Sequence, residues 1–149
     1  MRIIERTEID RPATKVWSHV IKPEDFQKWN KNIVSMEARG EFRLGQPFTT
    51  HYRLRKKQSQ CLSVVTNIIE ERLLELRHSN CVGASGSSEM EAVERITLKE
   101  HKGKTIVTKE VTIKNHGVPW ILIPIIWFVT RFGHRTEPDP LKLMCESDD

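Results

Sequence analysis

The stretch Gly117–Gly133, GVPWILIPIIWFVTRFG, decides how the rest of the chain is read. Between Lys114 and Arg131 there is no Asp, Glu, Lys or Arg, although charged residues make up 30% of the whole sequence. A segment this apolar must be buried, in protein or in lipid. As a helix it would be about 24 Å long. A bilayer core needs ~20 apolar residues, and Pro119 and Pro124 argue against one smooth span. The expectation is a helix gripped by a curved sheet that the preceding residues supply. Pro124 cannot donate to the carbonyl of Trp120, so a kink is expected there.

Upstream, the charge is modest and mixed. The net charge of +4 over 149 residues demands no nucleic-acid partner, and the length suits one domain over 1–149. The opening RIIERTEID has no apolar h-region of a signal peptide. Cys61, Cys81 and Cys145 are odd in number and widely spaced, which reads as free thiols in a cytoplasmic setting.

Arg2–Asp10 reads as an edge strand around Ile3, Ile4 and Ile9. Asp10 is placed to cap a helix carrying Pro12, Val16, Trp17 and Val20. Lys22-Pro23 ends it, and a second short helix covers about 24–29, with Phe26 and Trp29 on one face. From Asn32 the period shifts toward two. Strands are expected at about 33–39, 47–56, 60–69, 72–78, 90–100 and 104–114, with turns at Gly40, Gly45, Lys57–Ser59, Glu70-Glu71, the Gly83–Ser88 run and Gly103. Hairpin-length connections imply an antiparallel sheet. The result is an α+β chain of about seven strands.

Period two also assigns faces. Phe48, Thr50, Tyr52 and Leu54 share one side of their strand; Leu62, Val64, Thr66 and Ile68 share one side of the next. Leu74, Leu76 and His78 follow, then Ala92, Glu94, Ile96 and Leu98, then Val107, Lys109, Val111 and Ile113. All five sets are expected on the concave side, although a one-residue slip would invert any of them.

The order of these signals resembles the polyketide cyclase/dehydrase and lipid-transport superfamily, the START-like and Bet v 1-like (SRPBCC) domains. The resemblance is carried by EIDRPATKVWSHVIKPEDFQKW (Glu8–Trp29), GEFRLGQPF (Gly40–Phe48), EERLLELRH (Glu70–His78), ITLKEHKGKTIVTKEVTI (Ile96–Ile113) and PLKLMCE (Pro140–Glu146). It covers nearly the whole chain. It implies a helix-grip fold, in which a curved antiparallel sheet wraps a long C-terminal helix and two short helices follow the first strand. Two departures stand out. Glu70 and Glu71 occupy a place where Pro is common, and Gly133, Pro138 and Pro140 interrupt the usual single long helix. A short last turn capped by Asp139, with Pro140 at its first position, is therefore expected.

The candidate site follows from the faces. Tyr52, Thr66, His78, Glu94 and Lys109 are the polar groups expected in an apolar cavity, with Ile96 on its wall. Trp29, Trp120 and Trp127 are the candidate aromatic walls. Three uses remain open. One is binding of a small hydrophobic or amphipathic ligand such as a lipid, polyketide or terpenoid. The second is cyclase or dehydratase chemistry with Lys109, Glu94 or His78 as acid or base. The third is docking of Trp120–Phe128 on a partner or, transiently, a membrane. No spacing singles out a catalytic nucleophile, a metal site or a cofactor.

Overall fold

The computed structural model describes residues 2–30, 33–54, 57–83, 86–88, 91–114 and 139–147. In chain order the elements are β1 (Arg2–Ile9), α1 (Ala13–Val20), α2 (Pro23–Trp29), β2 (Ile33–Met36), β3 (Pro47–Leu54), β4 (Lys57–Ile69), β5 (Leu73–Gly83), β6 (Gly86–Ser88), β7 (Glu91–His101), β8 (Lys104–Lys114) and α3 (Pro140–Ser147). The Gly117–Gly133 segment, with Trp120 and Trp127, lies outside the described residues.

Seven strands form one antiparallel path, β1-β8-β7-β5-β4-β3-β2, and β6 pairs with the end of β5. The first strand is an edge, as its pattern suggests. The Gly83–Ser88 run differs from its turn reading, because Ser88 and Ser87 pair with Cys81 and Val82.

Helix α1 buries Ala13, Val16, Trp17 and Val20, the i, i+3, i+4, i+7 stripe of an amphipathic helix. Its cap differs from expectation. Pro12 occupies the N-cap position without a side-chain bond, and the Ala13 N–H donates instead to Glu100 Oε1 on β7, 2.6 Å away. Pro23 starts α2, which buries Phe26 and Trp29. At α3 the expectation holds: Leu141 N–H donates to Asp139 Oδ1 at 2.9 Å, just after Asp139 and Pro140.

The core fills the concave side. Ile9, Val16, Val20, Phe26, Trp29, Phe42, Phe48, Val65, Leu74, Leu76, Ile96, Leu98, Val107 and Leu141 are all buried there. Four of the five expected faces therefore hold through their apolar members. The β4 face does not. Leu62 and Val64 are exposed, while Cys61, Ser63 and Val65 are buried. The cause is a β-bulge. Register shifts between Val65 and Asn67, leaving Thr66 as the extra residue, so parity reverses there. Ile68, beyond the bulge, packs partly against the core as expected.

The cysteine reading is also corrected. Cys61 and Cys81 form a disulfide between β4 and β5, and Cys145 is free and buried. The two cysteines meet because the β4–β5 hairpin turns at Glu70–Arg72, placing them opposite each other beside a second bulge between Gln60 and Leu62. The thiol argument for a cytoplasmic home no longer holds for this pair. Among the described residues, no helix is long and apolar enough to cross a membrane.

Candidate functional site

The curvature of the sheet brings polar side chains from three strands to one place. Tyr52 on β3 donates its hydroxyl to Glu94 Oε1 on β7 at 2.7 Å. Asn30, at the end of α2, donates its amide to Glu94 Oε2 at 3.3 Å. His78 on β5 stands beside the same carboxylate, with Nε2 3.0 Å from Oε1. That approach is off the hydrogen-bonding direction, so Nε2 touches the carboxylate without an aligned acceptor. The Tyr52 and His78 rings meet edge to face at 5.2 Å. His78 is 1% exposed and Glu94 6%.

From His78 the network continues across the sheet. Ser63 Oγ lies 2.7 Å from His78 Nδ1, and Thr50 Oγ1 lies 2.7 Å from Ser63 Oγ. The protons can be assigned by capacity. An ionised carboxylate only accepts, so the proton facing Glu94 belongs to His78 Nε2. In the neutral imidazole Nδ1 then accepts the Ser63 hydroxyl, and Ser63 in turn accepts from Thr50. The relay runs Thr50, Ser63, His78, Glu94, with Tyr52 feeding the same end.

Burial pushes the Glu94 carboxyl upward, but His78, Tyr52 and Asn30 outweigh it and hold Glu94 below the usual carboxylate range. Tyr52 goes the other way. Burial first, then the Glu94 charge and hydrogen bond, raise its hydroxyl well above the ordinary value. Tyr52 therefore stays protonated as a donor. The order Ser63–His78–Glu94 has the composition of a nucleophile–base–acid triad. The Ser63 Oγ, however, is already shared between His78 and Thr50, so its hydrogen-bonding capacity is taken within the relay.

A second polar group lies beside α3. Lys109 on β8 reaches Asp139 Oδ1 and Oδ2 at 2.8 and 2.7 Å. Thr7 on β1 donates to Oδ2 at 2.7 Å. Burial raises the Asp139 carboxyl, yet Lys109, Thr7 and the Leu141 N–H overcome it and leave it lowered. The Lys109 ammonium also sits 4.9 Å over the Trp29 ring, a cation–π contact. Trp29 in turn donates Nε1–H to the His19 carbonyl at 3.1 Å.

Of the sequence-predicted site residues, Tyr52, His78 and Glu94 come together, and Trp29 and Lys109 form the neighbouring pair. Ile96 is buried between them, opposite Lys109 on β8 and Leu74 on β5. Thr66 is not among them. Its hydroxyl donates to Glu75 Oε1 at 2.7 Å on the convex side, so its concave placement is overturned by the bulge. Asn30, Ser63 and Thr50 escaped the sequence reading as site residues. The bulge hid Ser63, and nothing in the local pattern marks Asn30.

Comparison with known proteins agrees with this architecture. Residues 10–119 match the family model described as Activator of Hsp90 ATPase homolog 1-like protein. Among curated proteins, none matches the sequence. A START superfamily protein from Mycobacterium smegmatis shares the fold at TM-score 0.73 and 13% identity, over 98% of this chain and 97% of that one. Ara h 8.0201 matches at TM-score 0.67 and 16% identity, over 99% of both chains. DynU16, from the dynemicin biosynthetic locus, matches at TM-score 0.60 and 16% identity, over 93% of this chain and 49% of its own. The superfamily resemblance drawn from the motifs therefore holds, and the chain belongs to the Activator of Hsp90 ATPase homolog 1-like protein family, a START-like family of helix-grip domains.

Proposed function

We propose that residues 1–149 act as one unit that binds a small hydrophobic or amphipathic ligand on the concave face of the sheet. One observation carries this reading: an apolar concave wall holds a single buried carboxylate, Glu94, whose partners come from β3, β5 and the end of α2. Ligand sites commonly combine many apolar groups with a few converging polar ones. The Ser63 hydroxyl is already committed to His78 and Thr50, which favours binding over covalent catalysis. Lipids, polyketides and terpenoids have the required hydrophobic character.

A solvent-sensitive naphthalene probe tests the reading. Its fluorescence should rise on binding, and Ile96→Trp should abolish the rise while circular dichroism stays mixed α and β. Overpacking a wall of this kind costs about 1–3 kcal/mol. A folded Ile96→Trp protein that binds the probe unchanged would remove the concave-face reading.

A further inference from the structure

Counting the hydrogen-bonding capacity at Glu94 leads one step further. A carboxylate has about four acceptor sites. Here Oε1 takes the Tyr52 hydroxyl, and Oε2 takes a single long bond of 3.3 Å from Asn30. Beside it, His78 Nε2 is buried and has no aligned acceptor. A buried acceptor with spare capacity thus lies next to a buried donor whose 3.0 Å contact with Oε1 is not an aligned hydrogen bond, on a largely apolar wall. Native interiors seldom leave such groups unmet, because each costs about 1–3 kcal/mol.

Only some ligand groups answer both atoms at once. A carboxylate head would accept from His78 but face the Glu94 charge. An ammonium would donate to Glu94 and leave Nε2–H facing a cation. A plain hydrocarbon meets neither. A hydroxyl donates its proton to Glu94 Oε2 and accepts from His78 Nε2 through its oxygen. Water has the same pair of capacities, so a ligand hydroxyl can displace it without loss of hydrogen bonding.

We infer that the concave site is built for the hydroxyl of a lipophilic alcohol or phenol, held between Glu94 and His78. This inference rests on the proposed ligand-binding function and narrows its ligand class. The hydroxyl end lies against Glu94 and His78, and the hydrocarbon lies along the apolar wall that includes Ile96.

The test is a head-group series on one hydrocarbon: naphthol, methylnaphthalene and naphthoate, titrated into the full chain by calorimetry. Naphthol should bind about tenfold more tightly than methylnaphthalene, the worth of roughly one good hydrogen bond. Naphthoate should bind more weakly than either. In Glu94→Gln the naphthol advantage over methylnaphthalene should shrink to less than about threefold. If all three ligands bind the wild type alike, or naphthoate binds best, the hydroxyl inference fails and the concave-face binding reading survives. If none binds, both fall. The wild-type series decides the matter even if Glu94→Gln does not fold.

Discussion

Asp139 is a part-buried carboxylate and Glu94 a buried one; both are held below their ordinary pKa, yet their surroundings differ. Asp139 accepts hydrogen bonds on both oxygens from Lys109, and further ones from Thr7 and the Leu141 N–H. Its charge is matched and its lone pairs are filled. Glu94 accepts one short bond from Tyr52 and one long bond from Asn30, beside an imidazole approaching off-line. A saturated carboxylate serves the fold: Asp139 ties β1, β8 and α3 together. An unsaturated one, on an apolar wall, is a place for something else to bind.

The largest expected effect is on the saturated side. Asp139→Ala would leave the part-buried Lys109 ammonium without its anion and remove the cap of α3. Urea unfolding should show a loss of about 3–5 kcal/mol. A loss under about 1 kcal/mol would mean that the pair is not buried in solution.

Next comes the disulfide, which ties β4 and β5, the strands that carry Ser63 and His78. It closes a loop with a sequence separation of 20. Reduction should cost about 3 kcal/mol. Without reductant, only Cys145 should react with a thiol reagent in denaturant; after reduction all three should. Three reactive thiols at the outset would contradict the Cys61–Cys81 bond. In the native protein Cys145 should react slowly, because burial raises its thiol to about 11 and shields it.

Glu94→Gln should be milder than Asp139→Ala, at about 1–2 kcal/mol, because fewer bonds depend on it and an amide keeps the Tyr52 contact. Equal losses at the two positions would erase the distinction drawn between them. Acid titration sharpens it further. Both folded pKa values lie below their unfolded ones. Their stabilisation is therefore complete above the unfolded carboxylate range, at about pH 4, and drains away as pH falls through the folded values. The urea midpoint should hold steady from neutral to about pH 5 and then fall. Asp139→Asn should flatten part of that fall.

The smallest effect belongs to Thr66. Thr66→Ala should change stability by less than about 0.5 kcal/mol and leave probe binding untouched. A marked loss of binding would return Thr66 to the concave face and undo the bulge assignment.

Thr66 also shows where sequence reading stops. The order of elements along the chain, the edge position of β1, the two early helices and the Asp139 cap are all legible, because period, turn residues and capping chemistry are local. The faces of β3, β5, β7 and β8 follow from period two. On β4 a single extra residue reverses parity, and no residue type in that strand announces it. The same slip hid Ser63, the middle of the relay. The disulfide was within reach, since Cys61 and Cys81 are equidistant from Glu71, at the turn of the β4–β5 hairpin. Spacing along the chain alone does not show pairing across the strands. The Asn30 and Asp139 contacts join elements far apart in sequence, which periodicity does not encode.

The central claim is that ligand binds at the under-bonded Glu94 on the concave face. The most direct measurement is a two-dimensional NMR titration of the isotope-labelled chain with naphthol. Shifts are expected at Tyr52, His78, Glu94 and Ile96, including the His78 ring nitrogens. The convex face offers the contrasting location, a hollow of about 240 Å³ lined by Glu75, Val93, Arg95, Glu110 and Thr112. Shifts confined to that hollow, or no shifts at saturating naphthol, would contradict the account.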